Sequence, residues 1–188
     1  PHQPRAPPPP ADAITYFTRA MGVAREGDLN SARKDIEQLE SLKNTLTKSK
    51  QKYWADQVEI QRRAAAAWVA HAEGKKNEAL KLMGSAAALE DASEKHVAME
   101  NRLWPMRELF GEMLLQQNEP TQALKEFEAS FKAAPNRFRG YYGAAKAAER
   151  LGDQKKTRLY YEKLVELCRQ ADTERAELVE AKAFLAKK

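Results

Sequence analysis

GEMLLQQNEPTQALKEFEASFKAAP, residues 111–135, is the stretch that decides the fold. Gly111, Ala123, Phe127 and Pro135 stand in it at offsets of 0, 12, 16 and 24. Asn118 is the turn between its two apolar-periodic halves. Pro120, two residues later, suits the first turn of a helix, where a missing N–H costs nothing. The stretch reads as two helices joined by a tight turn. Small residues at Gly111 and Ala123 let the helices approach closely, and the large side chain of Phe127 fills the gap to whatever packs next.

Placing Gly27, Gly74, Asn118 and Gly152 at one turn position extends that frame over the chain. The small site of the first helix becomes Ala20, Ala67, Gly111 and Ala145. The small site of the second becomes Ala32, Ala79, Ala123 and Thr157, and the large site four residues later Ile36, Met83, Phe127 and Tyr161. Such columns are the mark of the tetratricopeptide repeat (TPR), a helix pair that buries its apolar face only by stacking on neighbours. The expected fold is all-α, a right-handed TPR-like α-solenoid of four helix pairs with a C-terminal capping helix. The pairs fall at about residues 12–50, 51–97, 104–135 and 136–170, in a single domain over 12–188, with the cap at 174–186. Turn-to-turn spacings are 47, 44 and 34 residues, so only the last has the standard repeat length. The surplus lies around Thr45–Tyr53 and Asp91–Leu103. Lys182, Lys187 and Lys188 make the last helix a polar cap for an open end.

Local signals set the helix limits. Asp12 can cap the first helix, which stops at Gly27, and Asp28 starts the second. A long helix runs from about Gln51 to Glu73, and the next from Asn77 to His96. Pro105 suits the first turn of the helix to Gln117. Asn136 can cap RFRGYYGAAKAAERL, Gly152–Asp153 turns the chain, and the following helix reaches about Gln170. Residues 1–11, PHQPRAPPPPA, form a proline-rich arm or linker in extended polyproline II; a docking role for it is the alternative.

Of the 188 residues 43% are hydrophobic and 31% charged, the balance of a folded helical domain, with no convincing strand. No apolar run approaches the roughly 20 residues that cross a bilayer, so no membrane span is expected. The chain begins at Pro1, which reads as a fragment or processed product, and its compartment, bacterial cytoplasm or periplasm, is open. Cys168 is the single cysteine, so no internal disulfide forms. Residues 137–188 carry 13 basic and 8 acidic side chains, the whole net charge of +5. Glu149, Asp153, Glu162 and Glu166 interrupt that basic run, which favours a solvated helical end over a nucleic-acid surface.

The segments YWADQVEIQRRAAAAWVAHAEGKKNEAL, LEDASEKH, PMRELFGEML and PNRFRGYYGAAKAAERLGD follow one another in an order and spacing more specific than the repeat alone. Over roughly residues 12–186 the chain resembles a family of bacterial TPR proteins of uncharacterised function. The resemblance implies a TPR fold and a place in the C-terminal part of a longer chain. One departure is Val97–Leu103 (VAMENRL), which stands where members often carry a proline- and glycine-containing segment.

The first helix of each TPR pair lines the concave surface, and the repeat positions give the candidates. They are Ile14, Phe17, Met21 and Arg25; Gln61, Ala64, Trp68 and His71; Glu108, Glu112 and Leu115; then Arg139, Tyr142, Lys146, Glu149 and Arg150. The set passes from apolar to charged, which suits an extended peptide or helix with one apolar and one polar end. Phe17, Trp68 and Tyr142 are the aromatic anchors, with packing between repeats as the competing role for Trp68. His71 has no histidine partners near it in sequence and reads as a solvated or hydrogen-bonded side chain, not a metal ligand. Glu108 and Glu112 share a helix face at i and i+4, yet Arg139 and Lys146 on the following first helix are placed to neutralise them. The lysine and asparagine pattern of a peptide-carboxylate clamp is absent. Cys168, with Leu164 and Val165, reads as a packed thiol. No phosphate loop, HExxH element, nucleophile elbow or cysteine cluster is present.

No catalytic residue, cofactor or metal site is therefore expected. The function read from sequence is a non-enzymatic scaffold that binds a protein or peptide along its concave face, through Phe17, Met21, Trp68, His71, Glu108, Glu112, Arg139, Tyr142 and Lys146. A module that positions or regulates a catalytic or sensing part upstream is the second reading, and a self-association module giving a homo-oligomer the third.

Overall fold

The computed structural model describes residues 11–93, 104–172 and 175–187. Among them are nine helices and no strand. The first compact unit, within Pro1–Lys95, holds α1 (Ala11–Glu26), α2 (Leu29–Lys48), α3 (Lys52–Ala72) and α4 (Lys76–Ala92). The second, within His96–Lys188, holds α5 (Met106–Gln116), α6 (Pro120–Ala133), α7 (Phe138–Arg150), α8 (Gln154–Leu167) and α9 (Ala176–Ala186). In the first unit each helix packs on the next, and α1 also packs on α3. In the second, the same succession runs from α5 to α9, and α5 also packs on α7. First helices thus meet first helices, as stacked helix pairs require.

The turn column holds at the level of backbone angles. Gly27, Gly74, Asn118 and Gly152 have φ of 91°, 77°, 62° and 72°. In each, the left-handed residue donates its N–H three residues back and the next residue donates five back. The pairs are Gly27 to Ala24 with Asp28 to Val23, and Gly74 to His71 with Lys75 to Ala70. Asn118 to Leu115 with Glu119 to Leu114, and Gly152 to Glu149 with Asp153 to Ala148, repeat the pattern. This is the Schellman closure, and it fixes the angle at which the next helix leaves. Asp28 and Asp153 then cap the following helices, accepting from the N–H groups of Ser31 at 3.0 Å and Lys156 at 2.9 Å.

The packing columns hold as well. Ala20, Ala67 and Ala145, and Ala32, Ala79, Ala123 and Thr157, are all fully buried. Thr157 fits because its hydroxyl donates to the carbonyl of Asp153 at 2.8 Å, so burial leaves it satisfied. Met83, Phe127 and Tyr161 are buried at the large site, whereas Ile36 is half-buried.

Some expected limits shift. Asp12 lies inside the first turn of α1 and is not its cap. Pro105 is the residue before α5. Asn136 does not cap α7: it is itself left-handed at φ 57°, Arg137 is the capping residue, and the Asn136 side-chain oxygen Oδ1 accepts from the Tyr141 hydroxyl at 2.9 Å. The helix expected to reach His96 ends at Ala92, and α8 ends at Leu167, where Cys168 is a half-exposed C-cap instead of a packed thiol. The proline-rich residues 1–10, Val97–Leu103 and Lys188 lie outside the described residues.

Candidate functional site

In the second unit, the line of side chains that the repeat register sets on the first helices encloses a cavity of about 140 Å³. α5 presents Glu108, Glu112 and Leu115, at i, i+4 and i+7 on one face. α7 presents Phe138, Arg139, Tyr142, Gly143 and Lys146. Trp104 ahead of α5, Phe127 from α6 and Glu177 from α9 complete the lining. The Phe127 ring lies between bare stretches of backbone. A Cβ on Gly111 would come within 2.7 Å of it, and one on Gly143 within 2.2 Å. Two glycines on successive first helices thus let a full aromatic ring lie where any side chain would push it away.

Glu108 is the unusual member. It is 1% exposed; its Oε1 accepts from Arg137 Nε at 2.9 Å, and its Oε2 is buried with no hydrogen-bond partner among the described residues. Burial lifts its pKa above the ordinary carboxylate value, and the Arg137 guanidinium offsets only part of that rise. Glu112 faces Arg139 at 3.8 Å, and the Arg139 guanidinium also stacks over Trp104, 4.9 Å from the ring centre. The sequence reading expected Arg139 and Lys146 to neutralise the two glutamates. The structure gives Glu108 to Arg137, which the register overlooks because it precedes the helix. Lys146 turns instead to Glu149 and Glu180, at 2.7 Å each. Burial disfavours the Lys146 charge, but these hydrogen bonds outweigh it and raise its pKa. Tyr142 donates its hydroxyl to Glu180 at 2.7 Å; burial first and that carboxylate second push its pKa up to about 12.

The first unit treats its corresponding face differently. Phe17 and Met21 are buried in its core, and Trp68 is 2% exposed. Arg25 covers the Trp68 ring at 4.2 Å, and the half-buried His71 meets its edge at 5.6 Å. Trp68 Nε1 and, two turns earlier on α3, Gln61 Oε1 are buried without hydrogen-bond partners among the described residues. Phe17, Met21 and Trp68 are therefore consumed in packing. They are not offered as projecting anchors.

Of the sequence candidates, the structure brings Glu108, Glu112, Arg139, Tyr142 and Lys146 around one cavity, and places Phe17, Met21, Trp68 and His71 in the packing of the other unit. Trp104, Phe138, Glu177 and Glu180 were missed. The ninth helix is more than a polar lid: its Leu178 and Ala181 are buried, Phe184 stacks on Tyr161 at 5.2 Å, and its two glutamates reach the site. Glu177 and Glu180 at i and i+3 were the visible signal, since they share a face of that helix. Among the described residues, no group of three or more His, Cys, Asp or Glu side chains is placed to hold a metal ion, and no helix is long and apolar enough to cross a membrane.

No protein-family model and no curated protein matches the chain. Solved structures do. PcrH from Pseudomonas aeruginosa superposes with a TM-score of 0.51 at 17% identity, over 67% of this chain and 88% of that one. A MamA structure from AMB-1 gives 0.49 at 15% identity, over 89% and 96%, and PilF of Pseudomonas aeruginosa 0.46 at 14%, over 93% and 87%. The likeness to PcrH shows the fold, and with the turn and packing columns it makes this a TPR-like helical-repeat protein.

Proposed function

We propose that the chain is a non-catalytic scaffold that binds a protein or peptide partner on the first-helix faces of its repeats, with the second-unit cavity as the main point of purchase. One observation carries this reading. Side chains chosen by repeat position alone, on α5 and α7, line a single cavity with aromatic walls and a charged rim. Concave, mostly apolar sites with a few placed polar groups are what ligand recognition uses. In the first unit Phe17 and Trp68 act from beneath, holding the face rigid, and contact falls to Ile14, Arg25 and His71.

Selection of a displayed random-peptide library against the full chain tests this. Selected peptides are expected to bind a Leu115→Lys/Arg139→Glu variant at least tenfold more weakly, with circular dichroism confirming an unchanged fold. A Leu159→Lys control on the outer face of α8, where Leu159 is exposed, leaves binding intact. Peptides that ignore the rim variant but lose the control would move the binding surface to the other side of the unit. A library that yields no binder would remove the main support for the scaffold reading.

A further inference from the structure

The repeat register gives α9 a second identity besides that of a cap. Gly111 and Ala145 hold the small site of the first helix in successive pairs, 34 residues apart, and the next step of 34 falls on Val179. The packing keeps that register. Ala144 and Ala147 of α7 are buried, and so are Leu178 and Ala181, 34 residues on. By its packing, α9 is the first helix of a fifth pair.

Its other face departs from the rule. Ala145 and Ala148 are 0% exposed, as are Ala20 and Ala67 at the same small site, and in each pair the second helix packs on the first. Val179 is 47% exposed, the most exposed large hydrophobic among the described residues, and Lys182 is exposed where its counterpart Ala148 is covered. Among the described residues no helix packs over this face as α8 packs over that of α7. Ala183 and Ala186 are also exposed beside Val179, and side chains that small let another helix come close.

Charge decides what kind of helix. At about 100° per residue, Val179, Ala183 and Ala186 lie within a quarter turn of one another. Arg175 and Lys182 border them along one edge, and Lys187 follows at the end of the helix, all three exposed. The two acids of α9 are engaged elsewhere. Glu177 accepts from Arg175 at 3.3 Å, and Glu180 accepts from Tyr142 and Lys146 at 2.7 Å each. On α8, Arg158 reaches the Lys187 carbonyl at 3.2 Å but pairs with Glu162 at 4.0 Å, so the two add no net charge. The face is apolar at its centre and basic at its edge. The third pair shows how such an edge is met: Arg107 on α5 pairs with Glu126 on its second helix, α6, and Arg175 is the counterpart of Arg107 two steps of 34 on. A second copy of α9 would instead set lysine against lysine.

We propose that the open face of α9 docks an amphipathic helix of a partner protein, small and apolar where it meets Val179 and acidic along its edges, which takes the place of the second helix of a fifth pair. This surface is separate from the cavity, to which α9 contributes Glu177 from another face.

The probe is a peptide of residues 119–134, the segment that covers α5, with the side chains of Glu128 and Lys132 joined as a lactam to hold the helix. Lys125→Glu gives an acidic form with three free carboxylates, and Glu119→Lys with Glu126→Lys gives a basic form with three ammonium groups. Fluorescence anisotropy with the full chain is expected to show saturable binding of the acidic form, at least fivefold tighter than the basic one. Val179→Ser changes no charge at an exposed position, and it should weaken the acidic form at least fivefold with the circular dichroism unchanged. Lys182→Glu/Lys187→Glu should reverse the preference. Saturable binding by neither form, equal binding of both or a preference for the basic form would overturn the proposal. So would acidic binding indifferent to Val179→Ser, which marks charge attraction without docking. Dimerisation of the chain in sedimentation, abolished by Val179→Ser, would give the face to a second copy and overturn it as well. The cavity reading is decided by variants on α5 and α7 and stands or falls separately.

Discussion

The two units use one repeat frame to opposite ends. In the first, the line of first-helix side chains closes on itself, with Arg25 laid over Trp68 and Phe17 and Met21 sunk in the core. The same line in the second stands around a cavity, and Gly111 and Gly143 let the Phe127 ring lie between α5 and α7 as part of its wall. Alanines fill the equivalent small site in the first unit, at Ala20 and Ala67, with the flexible Met83 at the large site. The repeat dictates where side chains project. Whether they become core or surface depends on their volume and on what the neighbouring pair leaves unfilled.

The largest effect that can break this contrast is at Trp68. As a core residue it loses about 3–5 kcal/mol of stability on Trp68→Ala. Tyr142→Ala costs clearly less, since that ring is only half-buried and its hydroxyl partner Glu180 keeps Lys146. Urea unfolding followed by far-ultraviolet circular dichroism measures both. A Trp68→Ala loss below about 1 kcal/mol would show that the first unit's face is open after all.

Gly143→Ala comes next. Helix propensity alone favours alanine by about 1 kcal/mol. The new methyl, however, would sit 2.2 Å from a ring already held on its other side by Gly111, and overpacking of that kind costs about 1–3 kcal/mol. A net loss is expected, and adding Phe127→Leu recovers much of it. In the first unit Gly22→Ala has nothing within 4 Å to strike, and it gains what propensity gives. If Gly143→Ala were also stabilising, glycine would not be what positions Phe127, and the account of the cavity would fall with it.

Much of this was legible in the sequence, and the reason is periodicity. Small residues at a close helix crossing, and turn residues that accept a left-handed backbone, are requirements of each repeat taken by itself. The column of Gly27, Gly74, Asn118 and Gly152 therefore announced four closures before any coordinates. The cavity-lining faces of α5 and α7 were legible for the same reason. What the sequence concealed was pairwise. Arg137 reaches Glu108 from 29 positions away and Glu180 reaches Tyr142 from 38, and no periodic rule fixes such partners. Burial was the other hidden quantity. Trp68 and Tyr142 belong to the same set of groove positions, yet only the volume of their neighbours makes one core and the other rim.

The smallest expected effect, and the sharpest, is a difference in sign between two glutamates. Glu59 in the first unit is lifted by burial, but hydrogen bonds from Arg62 and Arg63 outweigh that and carry its pKa down to about 2. A carboxyl more acidic in the folded chain stabilises it above the unfolded value near 4.5, and that stabilisation fades as pH falls toward 2. Partial exposure and screening hold it to about 1 kcal/mol. Glu108 in the second unit is shifted the other way by burial. Its folded form holds the proton more readily, so it adds no penalty in acid and opposes folding as pH rises through the unfolded value. Glu59→Gln should therefore be less stable than the unaltered chain at pH 6, with the gap closing by pH 2. Glu108→Gln should be more stable at pH 7, with its gap closing as the solution is acidified; the amide oxygen keeps an acceptor for Arg137. Urea titrations across that range read both gaps. Two gaps of the same sign would mean that Glu108 is satisfied like Glu59, and the second unit would no longer be the one that keeps a buried acceptor in reserve.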